Sequence, residues 1–237
     1  MTTQDWIGLG LSYAYASGLL VLAEAVRRWR GYPQDFTRKI VHVGAGMWVF
    51  GVLALFDTWY IGIIPFATFI GINYLLWRFR FLEAMDAKDS SPGTVYFALS
   101  ITLLFLAFWR AGAPGDLGYI AAAGTMAMTW GDSSAAIIGK RFGRHNYTAN
   151  GATLSYEGSA AMLAASFLSM FLTILLVPGS ALAPATAPVG TGVAFLAALL
   201  AALVATVAEA FSSKGTDNLS VPLGAGAVVF AVVMALR

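Results

Sequence analysis

Trp130-Gly131-Asp132-Ser133-Ser134-Ala135-Ala136-Ile137-Ile138-Gly139-Lys140-Arg141-Phe142-Gly143-Arg144-His145 begins as the end of an apolar run, Leu117 to Met128, and finishes as a basic loop. An ionised carboxylate beside hydrocarbon is expensive, so Asp132 at this junction marks either a partner or a function. If the helix runs on to about Gly143, Asp132, Ala136 and Lys140 share one face. Ala135, Gly139 and Gly143 repeat at the same spacing and form a ridge of small residues that another backbone, or a ligand, can approach closely. An acid, a small-residue ridge and then Lys140, Arg141 and Arg144 is an order suited to holding a metal and a phosphate chain. The plainer alternative is an interfacial acid paired with a snorkelling lysine, followed by ordinary cytoplasmic positive charge.

The rest of the chain belongs with a membrane. Of its 237 residues, 59% are hydrophobic and 11% charged, and the mean hydropathy is +0.74. A soluble domain carries roughly a quarter charged residues. The expected fold is therefore all-α, a polytopic integral membrane helical bundle, with residues 1–237 forming a single transmembrane domain. A net charge of +2 is too small to imply nucleic-acid binding, and the absence of cysteine excludes disulfides, thiolate nucleophiles and Cys-ligated metal. Asp5, with no basic residue before the first apolar run, marks that run as a retained span and not a signal peptide.

About twenty apolar residues cross a bilayer as a helix. That rule predicts eight spans, at about 7–26, 40–56, 60–77, 94–109, 117–138, 158–177, 190–210 and 219–236. Trp6, Trp59, Tyr60, Trp77, Trp109, Tyr119 and Trp130 fall at or near the span ends, as interfacial aromatics should. Twelve of the 14 Lys and Arg residues lie in the loops after spans 1, 3, 5 and 7. The positive-inside rule then puts both termini outside and those loops in the cytoplasm. Gly179–Gly192 is a bland linker without an ionisable side chain.

The polar residues are unevenly shared among the loops. Arg38 and His42 are four apart and share a helix face beside Lys39, which suits a phosphate or a lipid headgroup. His42 would equally serve as a hydrogen-bonded histidine packed between helices. Glu83, Asp86, Lys88 and Asp89 read as a solvated face. Glu157, in Tyr156-Glu157-Gly158-Ser159, opens a span, where an acid also stabilises a helix start. Glu209 ends an apolar helix and would need a salt bridge to be merely structural, whereas Asp217 and Asn218 begin the next span and suit an N-cap as well as a ligand. Arg38, Lys39, His42, Asp132, Lys140, Glu157, Glu209, Lys214, Asp217 and Asn218 all project to one level of the membrane. Carboxylate and amide oxygens suit Mg²⁺, and basic groups beside them suit a nucleotide triphosphate. There is no P-loop and no protein-kinase motif, so a nucleotide site is of another design.

Four segments in this order, Arg38-Lys39-x-x-His42, Gly131-Asp132-x-x-Ala135 with Gly139 and Gly143, Tyr156-Glu157-Gly158-Ser159, and Glu209 followed by Asp217-Asn218-Leu219-x-Val221-Pro222, resemble the CTP-using polyprenol kinase family. That family includes dolichol kinases, phytol kinases and CTP-dependent diacylglycerol kinases, and it looks like a distant relative of the CDP-diacylglycerol synthases. The resemblance runs from about Thr37 to Pro222. It implies transfer of the γ-phosphate of CTP to a lipid alcohol, either an isoprenoid of the phytol, polyprenol or dolichol type or diacylglycerol, at the cytoplasmic face with Mg²⁺. On the resemblance, Asp132, Glu209 and His42 form the catalytic set, and Asp132, Glu209 and Asp217 hold the metal. Lys140, Arg144 and Lys214 neutralise the triphosphate, Glu157, Ser159 and Asn218 orient it, and Arg38 and Lys39 lie with His42 near the transferring group. Either His42 or a carboxylate takes the alcohol proton. Leu154 stands where the family usually has a basic residue, so Lys140, Arg144 or Lys214 would supply that phosphate contact. The acceptor's tail is expected between helices, reached laterally from the bilayer, and homo-oligomerisation is left open. The competing functions are a phosphatidate cytidylyltransferase-like CDP-lipid synthase, although the chain lacks the longer charged C-terminal segment associated with those enzymes, and a secondary transporter, whose charges would sit nearer the bilayer midplane.

Overall fold

The described residues, 1–79 and 91–236 of a computed structural model, form helices α1 (Thr3–Arg30), α2 (Gln34–Leu55), α3 (Trp59–Gly62), α4 (Ile64–Phe79), α5 (Gly93–Phe108), α6 (Gly118–Phe142), α7 (Tyr156–Leu176), α8 (Thr191–Phe211) and α9 (Asp217–Leu236). A hairpin of β1 (Asn146–Ala149) and β2 (Ala152–Ser155) joins α6 to α7. Arg80, Glu83, Asp86, Lys88 and Asp89 of the second charged loop, and Arg237, lie outside the described residues. Each predicted span coincides with a helix, the third with the α3–α4 pair. Among the described residues six segments are long and apolar enough to cross a membrane: α1, α2, α3–α4, α7, α8 and α9. Helix α5 is apolar but shorter.

The axis of the bundle is α6. Every residue from Gly118 to Thr129 is buried, and the helix packs on α2, α5, α7, α8 and α9. Small residues make this possible. A Cβ added at Gly124 would stand 2.7 Å from the Pro222 carbonyl oxygen and 3.2 Å from the backbone of Gly226 on α9. One at Gly131 would run into Ser166 of α7, and one at Gly46 of α2 into Thr129. In lipid, close packing and interhelical hydrogen bonds replace the hydrophobic drive between helices. Here Ser166 Oγ donates to the Ala127 carbonyl at 3.0 Å and Ser169 Oγ to that of Met126 at 3.2 Å. The ridge of Ala135 and Gly139 does meet another backbone, that of Gly158 on α7, whose Cβ would lie 3.2 Å from the Ala135 carbonyl oxygen and 3.3 Å from Gly139 Cα.

One end of the bundle is stitched closed. Asp5 is buried, and its carboxylate accepts the Thr2 amide at 2.8 Å, the Thr58 amide at 3.1 Å and the Thr58 hydroxyl at 2.8 Å. Asp116 accepts the Arg110 amide at 2.8 Å and the Gly118 amide at 3.1 Å, while its carbonyl takes the Thr186 hydroxyl at 3.0 Å. Trp109 and Tyr119, expected as interfacial aromatics, are fully buried, and the Trp109 ring fills the space that the missing Cβ atoms of Gly62 and Gly118 leave. The opposite end carries the hairpin, whose two-residue turn, Asn150 (φ 46°) and Gly151 (φ 75°), has both residues left-handed as a tight twisted hairpin requires.

Candidate functional site

The first turns of α2 and the second half of α6 meet at the open end. Lys39 Nζ donates to Asp132 Oδ2, linking residues 93 apart in sequence, and the two side chains are 15% and 17% exposed. Removing one partner from so enclosed a pair leaves an uncompensated charge, a loss of about 3–5 kcal/mol. His42, one turn further along α2, lies with Nε2 3.8 Å from Asp132 Oδ2 and 3.4 Å from the Met128 carbonyl, its ring tilted over Phe97 at 4.3 Å. Asp132 Oδ1 has no hydrogen-bond donor among the described residues. The lysine that pairs with Asp132 therefore comes from another helix and not from its own.

The turn between α8 and α9 brings in the second acid group. Gly215, at φ 87°, passes so close to Ser91 that a side chain would collide, and a Cβ at Gly93 would stand 3.1 Å from Asn218 Nδ2. Asn218 Nδ2 donates to Asp217 Oδ1 at 3.2 Å and to the Gly215 carbonyl at 3.4 Å. Asp217 opens α9, as a helix-starting acid should. Glu209, in the last turn of α8, is half-buried and within electrostatic reach of Asp132, Asp217 and Lys39. Among the described residues no hydrogen bond or ion pair reaches its carboxylate. The salt bridge that would make it structural is not formed there.

Below these groups lies a cavity of about 540 Å³ between α1, α2, α4 and α5. Arg38, Lys39, His42, Asp132, Lys214, Asp217 and Asn218 line its mouth together with Asn73, Ser91 and Thr94. Its interior is walled by Leu19, Val41, Ala45, Trp48, Phe66, Phe69, Phe97 and Ile101. Asn73, whose amide donates to the Thr94 carbonyl at 3.1 Å, is a residue the sequence reading passed over, and a lone amide in an apolar span was the available signal. The aromatic walls carried no such signal, because apolar residues of a membrane helix read alike whether they face lipid or a cavity.

Glu209 does not line this cavity, and nor do the four residues Lys140, Arg144, Glu157 and Ser159. These four form a second group where α6, the hairpin and α7 meet. Glu157 Oε1 lies 2.7 Å from His145 Nδ1, and Ser159 Oγ is 2.6 Å from the Tyr147 hydroxyl. Lys140 and Arg144 are exposed. The hairpin tip reaches back toward the first group, for Asn150 Nδ2 donates to the Phe211 carbonyl at the end of α8 at 2.9 Å.

Among the described residues no three His, Asp or Glu side chains are gathered tightly enough to hold a metal alone. Asp132, Glu209 and Asp217 nevertheless offer hard oxygen donors within electrostatic reach of one another. Mg²⁺ takes one or two protein carboxylates and completes its shell with water and substrate phosphates, so these acids have the donor chemistry it requires.

The chain is similar to the phytol kinase of Synechocystis sp., at 35% identity over 236 residues, which covers 95% of this chain and 91% of that protein. It is 28% identical over 168 residues to a probable chloroplastic phytol kinase of Triticum aestivum, covering 65% and 54% of the two chains. It is 26% identical over 170 residues to a probable chloroplastic phytol kinase 2 of Glycine max, covering 70% and 55%. The chain spans about half the length of these plant relatives. No family model and no solved structure matches it.

Proposed function

The chain belongs to the phytol kinase family, and on that premise we propose that it is a lipid-alcohol kinase that moves the γ-phosphate of CTP onto the hydroxyl of an isoprenoid alcohol such as phytol. The observation that supports this is the cavity, ionic at its mouth and apolar below. A molecule with one hydroxyl head and a long hydrocarbon tail matches that order of surfaces.

Phosphoryl transfer asks a protein mainly to position the reactants and spread charge. The alcohol oxygen, set at the level of Asp132, attacks the γ-phosphorus in line. The new O–P bond forms as the bond to the β-phosphate oxygen breaks, CDP leaves, and the alcohol proton passes to Asp132 or His42. Arg38 and Lys214 at the mouth meet the phosphate oxygens as charge-assisted donors, while Lys39 keeps Asp132 in place. Asn218 orients the phosphates, and Lys140, Arg144, Glu157 and Ser159 are assigned the far end of the nucleotide. Asp132, Glu209 and Asp217 would hold Mg²⁺, which when bound supplies neutralisation of the triphosphate charge. The excess of Lys and Arg in the loops at this face supports a cytoplasmic site.

Purified protein incubated with a lipid alcohol and CTP labelled at either the γ- or the α-phosphate tests the proposal. Label in the lipid from the γ position is the expected result, and unlabelled ATP and GTP should compete poorly. Label from the α position would instead make the protein a CDP-lipid synthase.

A further inference from the structure

The cavity is graded in depth, and each of its four helices contributes in the same order. On α2 the lining runs Lys39, His42, Ala45, Trp48; on α4 it runs Asn73, Phe69, Phe66; on α5 it runs Thr94, Phe97, Ile101. The residues of α1, like those of α4, run in descending chain order, from Leu19 through Tyr15 to Ser12. At 1.5 Å rise per residue, Trp48 lies about 14 Å along α2 from Lys39.

Trp48 is held there firmly. Its Nε1–H donates to Ser12 Oγ at 3.0 Å, and its ring stacks on Tyr15 with centroids 4.3 Å apart and an interplanar angle of 18°. Ser12 is 1% exposed and passes its own proton to the Gly8 carbonyl at 2.8 Å, so its hydroxyl is oriented to accept from the indole. Tyr15 is fixed in turn by a 2.9 Å hydrogen bond from its hydroxyl to the Gly44 carbonyl. A bulky ring held by Ser12 and Tyr15 thus stands at the end of the α2 lining away from the charged mouth, with buried Phe66 and Ile101 at the corresponding ends of the α4 and α5 linings.

We infer that Trp48 is the floor against which the acceptor's tail ends, so that it sets the length of lipid alcohol the site accepts, with Ser12 as the positioning residue for the indole. This rests on the lipid-alcohol kinase assignment of the cavity, and it adds which residue measures the tail.

Two experiments test it, one of them independent of catalysis. In detergent, unbranched alcohols of graded length with a terminal bromine are titrated while tryptophan fluorescence is followed. For the length that reaches the floor, a quenched fraction present in the wild type should vanish in Trp48→Phe, whereas an alcohol brominated beside its hydroxyl should behave alike in both. Equal quenching of wild type and Trp48→Phe by every terminally brominated alcohol overturns the inference. The second experiment compares kcat/KM across an isoprenoid alcohol series. Trp48→Ala should shift the preference between adjacent lengths toward the longer by at least about tenfold, the discrimination a filled or emptied apolar subsite provides. Ala45→Leu, which narrows the channel one turn above, should shift it toward the shorter. Ser12→Ala should move it in the Trp48→Ala direction by less, and Ser12→Thr should restore it. A profile that is the same in wild type, Trp48→Ala and Ala45→Leu overturns the inference whatever the quenching shows. If the wild type phosphorylates no alcohol, the kinase assignment falls, and the quenching alone decides whether Trp48 ends an alkyl channel.

Discussion

Asp5 and Glu209 are both acids at the ends of apolar helices, and the fold treats them in opposite ways. Asp5 is buried and accepts three hydrogen bonds, two of them from Thr58 across a loop. Glu209 is half-buried at the other end, near Asp132 and Asp217, with no hydrogen-bond partner among the described residues. A buried polar group left unsatisfied costs about 1–3 kcal/mol, and more when charged. The first end thus resolves its charges within the protein and gains stability. The second leaves acids open beside a cavity, as a protein does where strain serves a ligand.

That contrast predicts where activity and stability separate. The largest effect is expected at Asp132. Asp132→Asn should lower turnover per folded molecule by about a thousandfold or more, in addition to the stability lost by leaving Lys39 unpaired, and a fully active variant would remove Asp132 from the site. Glu209→Gln should lower turnover by about a hundredfold while leaving the thermal midpoint unchanged or raised, since it relieves an unpaired carboxylate. A fall in both would make Glu209 structural. Asp5→Ala should do the reverse, destabilising the protein by about 2–3 kcal/mol in a thermal or denaturant melt while turnover per folded molecule stays at the wild-type level. The smallest effect is expected at Leu154, half-buried on β2 opposite Tyr147. Leu154→Lys should leave phosphotransfer unchanged or raise it, and a loss would show that this strand does not approach the phosphates.

Hydropathy located the helices because a span of lipid-facing residues needs nothing beyond its own composition. It located even the buried helix α6, since Ala, Met and Gly carry the run from Leu117 to Met128. Pairings were harder to read. Asp132 shares a helix face with Lys140, yet its cation is Lys39 on α2, and no spacing rule reports a partner on another helix. Hydropathy likewise fixes depth in the membrane but not position across it. That is why Lys140 and Glu157, expected at the level of Asp132, belong instead with Arg144 and Ser159 to a separate group against the hairpin. The hairpin itself is legible in Asn150-Gly151, the favoured pair for such a turn, a signal not used in predicting the spans from hydropathy.

The composition of α6 has a consequence for how the molecule is made. Filled with Gly, Ala, Ser and Thr so that its neighbours can close on it, and ending in Asp132, Lys140 and Arg141, it is not among the segments apolar enough to cross a bilayer by themselves. Insertion into the membrane depends on the summed transfer free energy of a segment. Entry of the central helix into the bilayer is therefore expected to depend on the neighbours that pack against it.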